Sequence, residues 1–201
     1  MKVLILGGGA SGLMAALSAA QDERNTVTVL ERQSRVGRKL LATGNGRGNL
    51  TNLDLSPVHY HGQDAGFARA ALSRFDGTAT LDFFHALGLL TTAEPSGRVY
   101  PLSDQSNSVV DVLRFAAAQA GVQLVCGFDA QSVKKKARGY QVAGADGSAY
   151  FGDKLIIACG GFRSPREIRI VIDELTADYK EPYAGARKRL SRVLEVMLYA
   201  Y

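Results

Sequence analysis

Cysteine is scarce. Cys126 and Cys159 are the only two in 201 residues, far apart and in no C-x-x-C arrangement, so neither a disulfide framework nor a zinc site nor a paired-thiol redox centre is indicated. A reducing, cytoplasmic setting is the expectation. Histidine is scarce too, with three in the chain. His59 and His61 form an H-x-H pair with no third ligand in view, so exposed loop histidines are expected in place of a metal site. His85, in "LDFFHALG", reads as structural. No segment approaches the ~20 apolar residues of a membrane span. The opening "MKVLILGGGASGLMAALSAAQ" has the Lys and the small-residue end of a secretory signal, but three consecutive glycines break its apolar stretch. Repeats and low-complexity tracts are absent. The net charge of +5 permits an anionic ligand, yet the basic residues are scattered and no recognised nucleic-acid motif accompanies them. Lys134, Lys135 and Lys136 fall in a strand-like segment and read as a solvated edge strand, so no nucleic-acid partner is expected.

Glycine, by contrast, is abundant: 22 residues, clustered at 7 to 12, 37 to 48 and 160 to 161. Clustering of this kind suggests backbone that approaches a ligand. With 46% hydrophobic residues the chain has material for a packed core. "KVLIL" (2 to 6) is a short apolar run ending in glycine, and Leu13, Ala16, Leu17 and Ala20 then recur at helical spacing. "TVTVLE" (26 to 31) alternates and is β-branched, which completes a βαβ unit of parallel strands. Residues 65 to 88 read as two helical pieces divided near Asp76 and Gly77. Ser106 or Ser108 is expected to cap a further helix carrying Val109, Val110, Leu113, Ala117 and Ala120 on one side and ending at Gly121. "VQLVC" (122 to 126) reads as a strand, 130 to 137 and 140 to 145 as an antiparallel pair followed by a turn at "ADGS" (145 to 148), and "KLIIAC" (154 to 159) as the last strand.

The chemistry concentrates in "GGGASG". The pattern G-x-G-x-x-G falls on Gly7, Gly9 and Gly12, after a predicted strand and opening a predicted helix. Gly7 permits the tight turn, Gly9 lets the backbone approach a pyrophosphate, and Gly12 packs helix on strand. Amides at the helix start, around Ala10 and Ser11, then point at the phosphates. Glu31 ends the second strand nineteen positions after Gly12, where an acid hydrogen-bonds an adenosine ribose; otherwise it is a solvated glutamate.

"VLILGGGASGLMAA", "LERQSRVGRKLLATGNGRGNLTN", "GRVYPLSDQSNSVVDVL" and "KLIIACGG" together resemble the aminoacetone-oxidase-type family of FAD-binding enzymes, within the class of flavoproteins with a glutathione-reductase-like FAD domain. The resemblance covers residues 1 to about 161. It implies an α/β, Rossmann-like FAD-binding domain with a parallel sheet and a small antiparallel β-meander. It also implies a flavin-dependent oxidoreductase acting on a small-molecule substrate, with NAD(P)H as a candidate reductant. Arg32, Arg38 and Lys39 are placed by it toward the phosphates, and Thr43, Gly44, Asn45, Gly46, Arg47 and Asn49 toward the flavin. Backbone around Val133 would contact adenine, and "ACGG" would supply Ala158, Cys159 and Gly160 in the place of an A-T-G-G strand end. Arg98 is open between an anion-binding role and a surface turn. Where the family commonly reads "GRCNLTN", this chain has Gly48, so thiol chemistry beside the flavin is not expected.

After Gly161 the resemblance ends. The family continues into a substrate domain and returns to a second FAD-binding segment, so the chain is expected to be incomplete relative to it. Residues 162 to 201 read as a divergent, mainly helical tail. Leu190, Val193, Leu194, Met197, Leu198 and Tyr201 form one stripe within 186 to 201, open to docking on the sheet, a partner subunit or a membrane surface. The rival to the enzyme is a non-enzymatic nucleotide-binding or interaction module derived from a flavoprotein.

Overall fold

The computed structural model describes residues 1 to 61 and 65 to 160, and the helical reading of the tail lies outside them. Along the chain the elements begin with β1 (Lys2–Leu6), α1 (Ala10–Ala20), β2 (Thr26–Glu31) and β3 (Thr51–Asn52). They continue with α2 (Arg69–Leu72), α3 (Gly77–Ala86), β4 (Thr91–Ala93), β5 (Arg98–Pro101) and α4 (Ser106–Gln119). The last are β6 (Gln123–Cys126), β7 (Ala130–Lys135), β8 (Tyr140–Gly144), β9 (Ala149–Gly152) and β10 (Lys154–Ile157). Two compact units result, the first made of Met1–Gly37 with the chain from Ala117 onward, the second of Arg38–Ala116.

In the first unit a parallel sheet has the order β10-β1-β2-β6, so β1 and β2 lie inside it. Because strand side chains alternate between faces, β1 serves two cores. Val3 and Ile5 join Val27, Val29, Ala16 of α1, Ala117 of α4 and Val122 on one face. Leu4 and Leu6 join Leu30, Phe128, Val133 and Val142 on the other. The second face is covered by an antiparallel meander, order β7-β8-β9. Ile5, Leu13, Leu30, Val133 and Val142 are all but fully buried, each burial stabilising the fold by about 1.5–3 kcal/mol. The expected α/β Rossmann-like architecture with its small meander is thus the observed one. Lys134 and Lys135 are exposed on β7, an outer strand of the meander, as the sequence suggests.

The second unit holds a three-stranded antiparallel sheet, order β3-β5-β4, which the sequence reading did not anticipate. Strands of two to four residues are too short to show alternation. The division near Asp76 is as expected: its carboxylate accepts from the Ala79 N–H at 2.8 Å and caps α3. The capping expectation for the next helix needs correction. Ser106 is the first residue of α4, not its cap, and its Oγ donates to the Leu41 carbonyl at 2.9 Å. Ser108 lies within the first turn, its Oγ 2.7 Å from Ser103 Oγ. The preceding 43 to 49 loop claims the serine, since the Ser106 N–H also donates to the Gly46 carbonyl.

The turn after β1 is sterically closed. Gly7 has φ +106°, and a Cβ there would collide with the Ala158 carbonyl; a Cβ on Gly12 would collide with the Gly7 carbonyl. Gly7→Ala and Gly12→Ala should therefore each destabilise the protein by about 2–4 kcal/mol, read as a shifted urea midpoint with unchanged slope. Losses below about 0.5 kcal/mol would contradict this packing.

Candidate dinucleotide-binding site

The parallel register brings the carboxyl ends of three strands level: Leu6 pairs with Ile157 on one side and Leu30 on the other. Gly7 to Gly12, Glu31 and Ala158 to Gly160 all follow those ends, the position where open α/β sheets bind ligands. The Gly7 N–H donates to the Leu30 carbonyl at 2.8 Å, and Ala158 N–H to the Leu6 carbonyl at 2.7 Å, so the loops start from fixed points. Gly9 is the N-cap of α1 and contributes no side-chain cap; the first turn carries no acid. The first helical bond is Leu13 N–H to the Gly9 carbonyl, and the amides of Gly9, Ala10 and Ser11 have no acceptor among the described residues. These amides and the uncompensated positive end of the helix dipole favour an anion.

Gly9 differs from its neighbours. Its φ of −79° suits any residue, and a Cβ built on it would meet nothing within 4 Å. The protein itself therefore has no steric need for glycine at this position. The space beside it is open to a group approaching the loop from outside.

Glu31 is fixed beside it. Its Oε2 accepts from the Gly8 N–H at 2.6 Å and its Oε1 from the Gln33 N–H at 2.8 Å. Two bonds leave further lone pairs on the carboxylate for hydroxyl donors. The Cys159 residue is exposed as a whole, but Sγ turns back to donate to the Leu6 carbonyl at 3.4 Å. Burial of that sulfur, with the Glu31 carboxylate adding to it against Arg32, pushes the thiol up to about 11. Cys126, paired in register with Glu31, is likewise raised, by burial first and Glu31 second. Arg32 is exposed. Val133 has its side chain in the core and its backbone paired with Val142.

The remaining predicted residues belong to the second unit. Arg38 and Lys39 are exposed. A turn at Leu40–Ala42 leads into a loop in which Gly44, Asn45, Gly46 and Gly48 all have positive φ. Thr43 accepts at its carbonyl from the Gly48 N–H at 2.8 Å, and its Oγ1 donates to the Lys39 carbonyl at 3.3 Å. The Asn49 amide, with Nδ2 facing inward, donates to the Thr51 and Val99 carbonyls at 3.1 and 3.3 Å. Gly48 explains its departure from the cysteine pattern: φ is +81°, and a Cβ would lie 2.9 Å from Ser106 Cα. Arg47 is not a bare cation. Its Nε donates to Asp104 at 2.6 Å, its Nη1 to Glu94 at 2.7 Å, and its guanidinium lies 4.0 Å over the Tyr100 ring. The two carboxylates, Glu94 foremost, raise its affinity for the proton. The motif "GRVYPLSDQSNSVVDVL" contains Tyr100 and Asp104 but marks neither as a partner of Arg47, and Glu94 lies outside it. Arg98, left open between two roles, lies exposed on β5.

His59 Nε2 sits 2.7 Å from Asp54 Oδ2, and that contact, followed by the Ser56 N–H, lowers the carboxyl to about 2. No group of three metal-binding side chains exists among the described residues. His85 Nε2 meets Thr91 Oγ1 at 2.7 Å, in keeping with a structural role. No helix among the described residues is long and apolar enough to cross a membrane.

Sheet order, glycine turn and strand-end acid define a Rossmann dinucleotide-binding domain. The model of the HI0933-like protein Rossmann domain matches residues 1 to 167, and the chain belongs to this family of FAD-binding flavoproteins. It is 42% identical over 161 residues to a 3-dehydro-bile acid delta(4,6)-reductase of Clostridium scindens, covering 80% of this chain and 39% of that protein. It is 30% identical over 162 residues to a ribosomal RNA dihydrouridine synthase of Escherichia coli, covering 81% and 40%. The chain thus spans about two fifths of the length of these curated relatives. Among solved structures, Thermovibrio ammonificans THI4 shares the fold with TM-score 0.55 at 16% identity, over 92% of this chain and 62% of that one.

Two outcomes follow from the geometry. Gly9→Ser should leave the urea midpoint unchanged or raised, since serine caps helices well and finds open space; a loss above about 1 kcal/mol would contradict it. At pH 8, iodoacetamide should modify Cys126 before Cys159, because a thiol at about 11 is only roughly one part in a thousand thiolate. Peptide mass mapping reads the order, and first modification at Cys159 would refute the inward-turned sulfur.

Proposed function

We propose that this chain forms the FAD-holding part of a flavin-dependent reductase acting on a small, unsaturated organic substrate. The observation that carries the reading is Gly9: open space above an unpaired set of amides, beside a carboxylate already oriented by Gly8. In this reading the amides of Gly9, Ala10, Ser11 and Gly12 bind the pyrophosphate, and Glu31 accepts from the adenosine ribose. Arg32, Arg38 and Lys39 offset phosphate charge. Main chain around Val133 meets adenine, while Ala158, Cys159 and Gly160 bound the loop at the end of β10. Thr43 to Asn49 are assigned to the flavin. FAD, when bound, supplies hydride or electron transfer; the protein supplies binding, orientation and electrostatics. NAD(P)H as the reductant, residues 1 to 161 as the cofactor-binding part and a cytoplasmic location belong to the same proposal.

The 42% relative bears the name of a bile-acid reductase, which supports reduction and a small-molecule substrate. The narrower aminoacetone-oxidase-type assignment is a second reading, resting on the four motifs of residues 1 to about 161, of which "LERQSRVGRKLLATGNGRGNLTN" and "GRVYPLSDQSNSVVDVL" are the specific ones. An RNA substrate is named for the relative at 30% identity; it would be favoured here if the full chain bound ribosomal RNA fragments more tightly than steroid or other small enones.

FAD and ADP titrations of the full chain test the cofactor. Gly9→Val should weaken both by about a hundredfold or more, through obstruction of the pyrophosphate. Glu31→Gln should weaken both by about three- to tenfold, through loss of a charged acceptor. Melting curves would confirm that each variant folds. Undiminished ADP binding by Gly9→Val would defeat the assignment. A colourless protein that binds ADP but not FAD would favour the non-enzymatic module.

A further inference from the structure

We propose that Arg47 is a positioning residue: a clamped strut that holds residues 44 to 48 over Tyr100, with Glu94 and Asp104 controlling the affinity of that loop for the flavin end of the cofactor. The proposal rests on the reading of the loop as flavin-facing, but its structural half stands on its own. Residues 44 to 46 and 48 all have positive φ, and one of them, Asn45 at +57°, is not glycine. Asp104, at +54°, is the other non-glycine residue in that region, and it is the one that meets Arg47 Nε. Strained backbone of this kind persists only where its surroundings over-determine it.

Arg47 supplies much of that determination. Its two carboxylate partners lie 47 and 57 positions away along the chain, so one side chain joins the loop to the segments before and after β5. Tyr100, buried at 4% exposure, is the floor: the guanidinium stacks on it, and a Cβ on Gly44 would come within 2.9 Å of its ring. Isolated surface ion pairs contribute little, but a guanidinium shared between two carboxylates and a ring is a network with fixed geometry. Two negative charges against one positive charge also mean that Arg47 does not present a net cation to a ligand. Its contribution is therefore the shape of the loop, not its charge. A lysine cannot replace it, because a single ammonium cannot fork to both carboxylates while lying flat on the ring.

Hydrogen exchange by mass spectrometry on the ligand-free full chain, combined with FAD and ADP titrations, tests the strut. Arg47→Ala, Arg47→Lys and the double variant Glu94→Gln/Asp104→Asn should each speed exchange of residues 43 to 50 and 103 to 108. Exchange in β1, α1 and β2 should stay unchanged. FAD affinity should fall about tenfold or more with ADP affinity unchanged, since only the flavin end uses this loop. Unchanged exchange in 43 to 50 for Arg47→Ala and for the double variant would overturn the strut. Faster exchange with unaltered FAD affinity would overturn its link to the cofactor. Full rescue by Arg47→Lys would show that charge, not shape, is what matters, and would also overturn it. If the unsubstituted chain binds ADP but no FAD while the exchange pattern holds, the flavin reading fails and the strut survives.

Discussion

Main chain approaching main chain, where Gly7 passes the Ala158 carbonyl, is the constraint on which the site depends. A side chain at Gly7 would separate β1 from the end of β10, and one at Gly12 would push α1 off the turn. With both excluded, the first turn of α1 starts at the strand ends. Gly9 brings no capping side chain. The arrangement costs some helix stability and leaves backbone N–H groups at the start of α1 without acceptors among the described residues.

The same economy recurs in the second unit. Side chains that look like ligands in the sequence are engaged in shaping the chain: Asn49 bonds to Thr51 and Val99, and Arg47 to two carboxylates. In both units glycine permits close backbone approach, and polar side chains bond to the backbone around it.

Much of the first unit was legible because its signals are local. Apolar runs at 2 to 6 and 26 to 31, the glycine spacing between them and Glu31 at the strand end lie within thirty-one residues, and the parallel register follows from them. The meander was legible from β-branched residues and the "ADGS" turn. The β3-β5-β4 sheet was not, since its strands are held by contacts such as the Leu53 N–H to the Gly97 carbonyl and not by any repeating pattern. Neither was the Arg47 cluster, whose partners are separated by about fifty positions and have no periodic relation to it. Ser106 shows the opposite error: a residue type that favours caps was taken by a tertiary partner, Leu41. The motif gives Gly7, Gly9 and Gly12 different roles, and the space around each Cβ likewise separates Gly9 from the other two.

The central claim is that the ligand is held by backbone at the start of α1. An amide-resolved NMR titration of the full chain with ADP tests it most directly. The largest shifts are expected on Gly8, Gly9, Ala10 and Ser11, with a smaller response at Gln33, whose N–H shares the Glu31 carboxylate. Shifts concentrated on the Lys134 to Arg138 edge, with the α1 start unmoved, would contradict it.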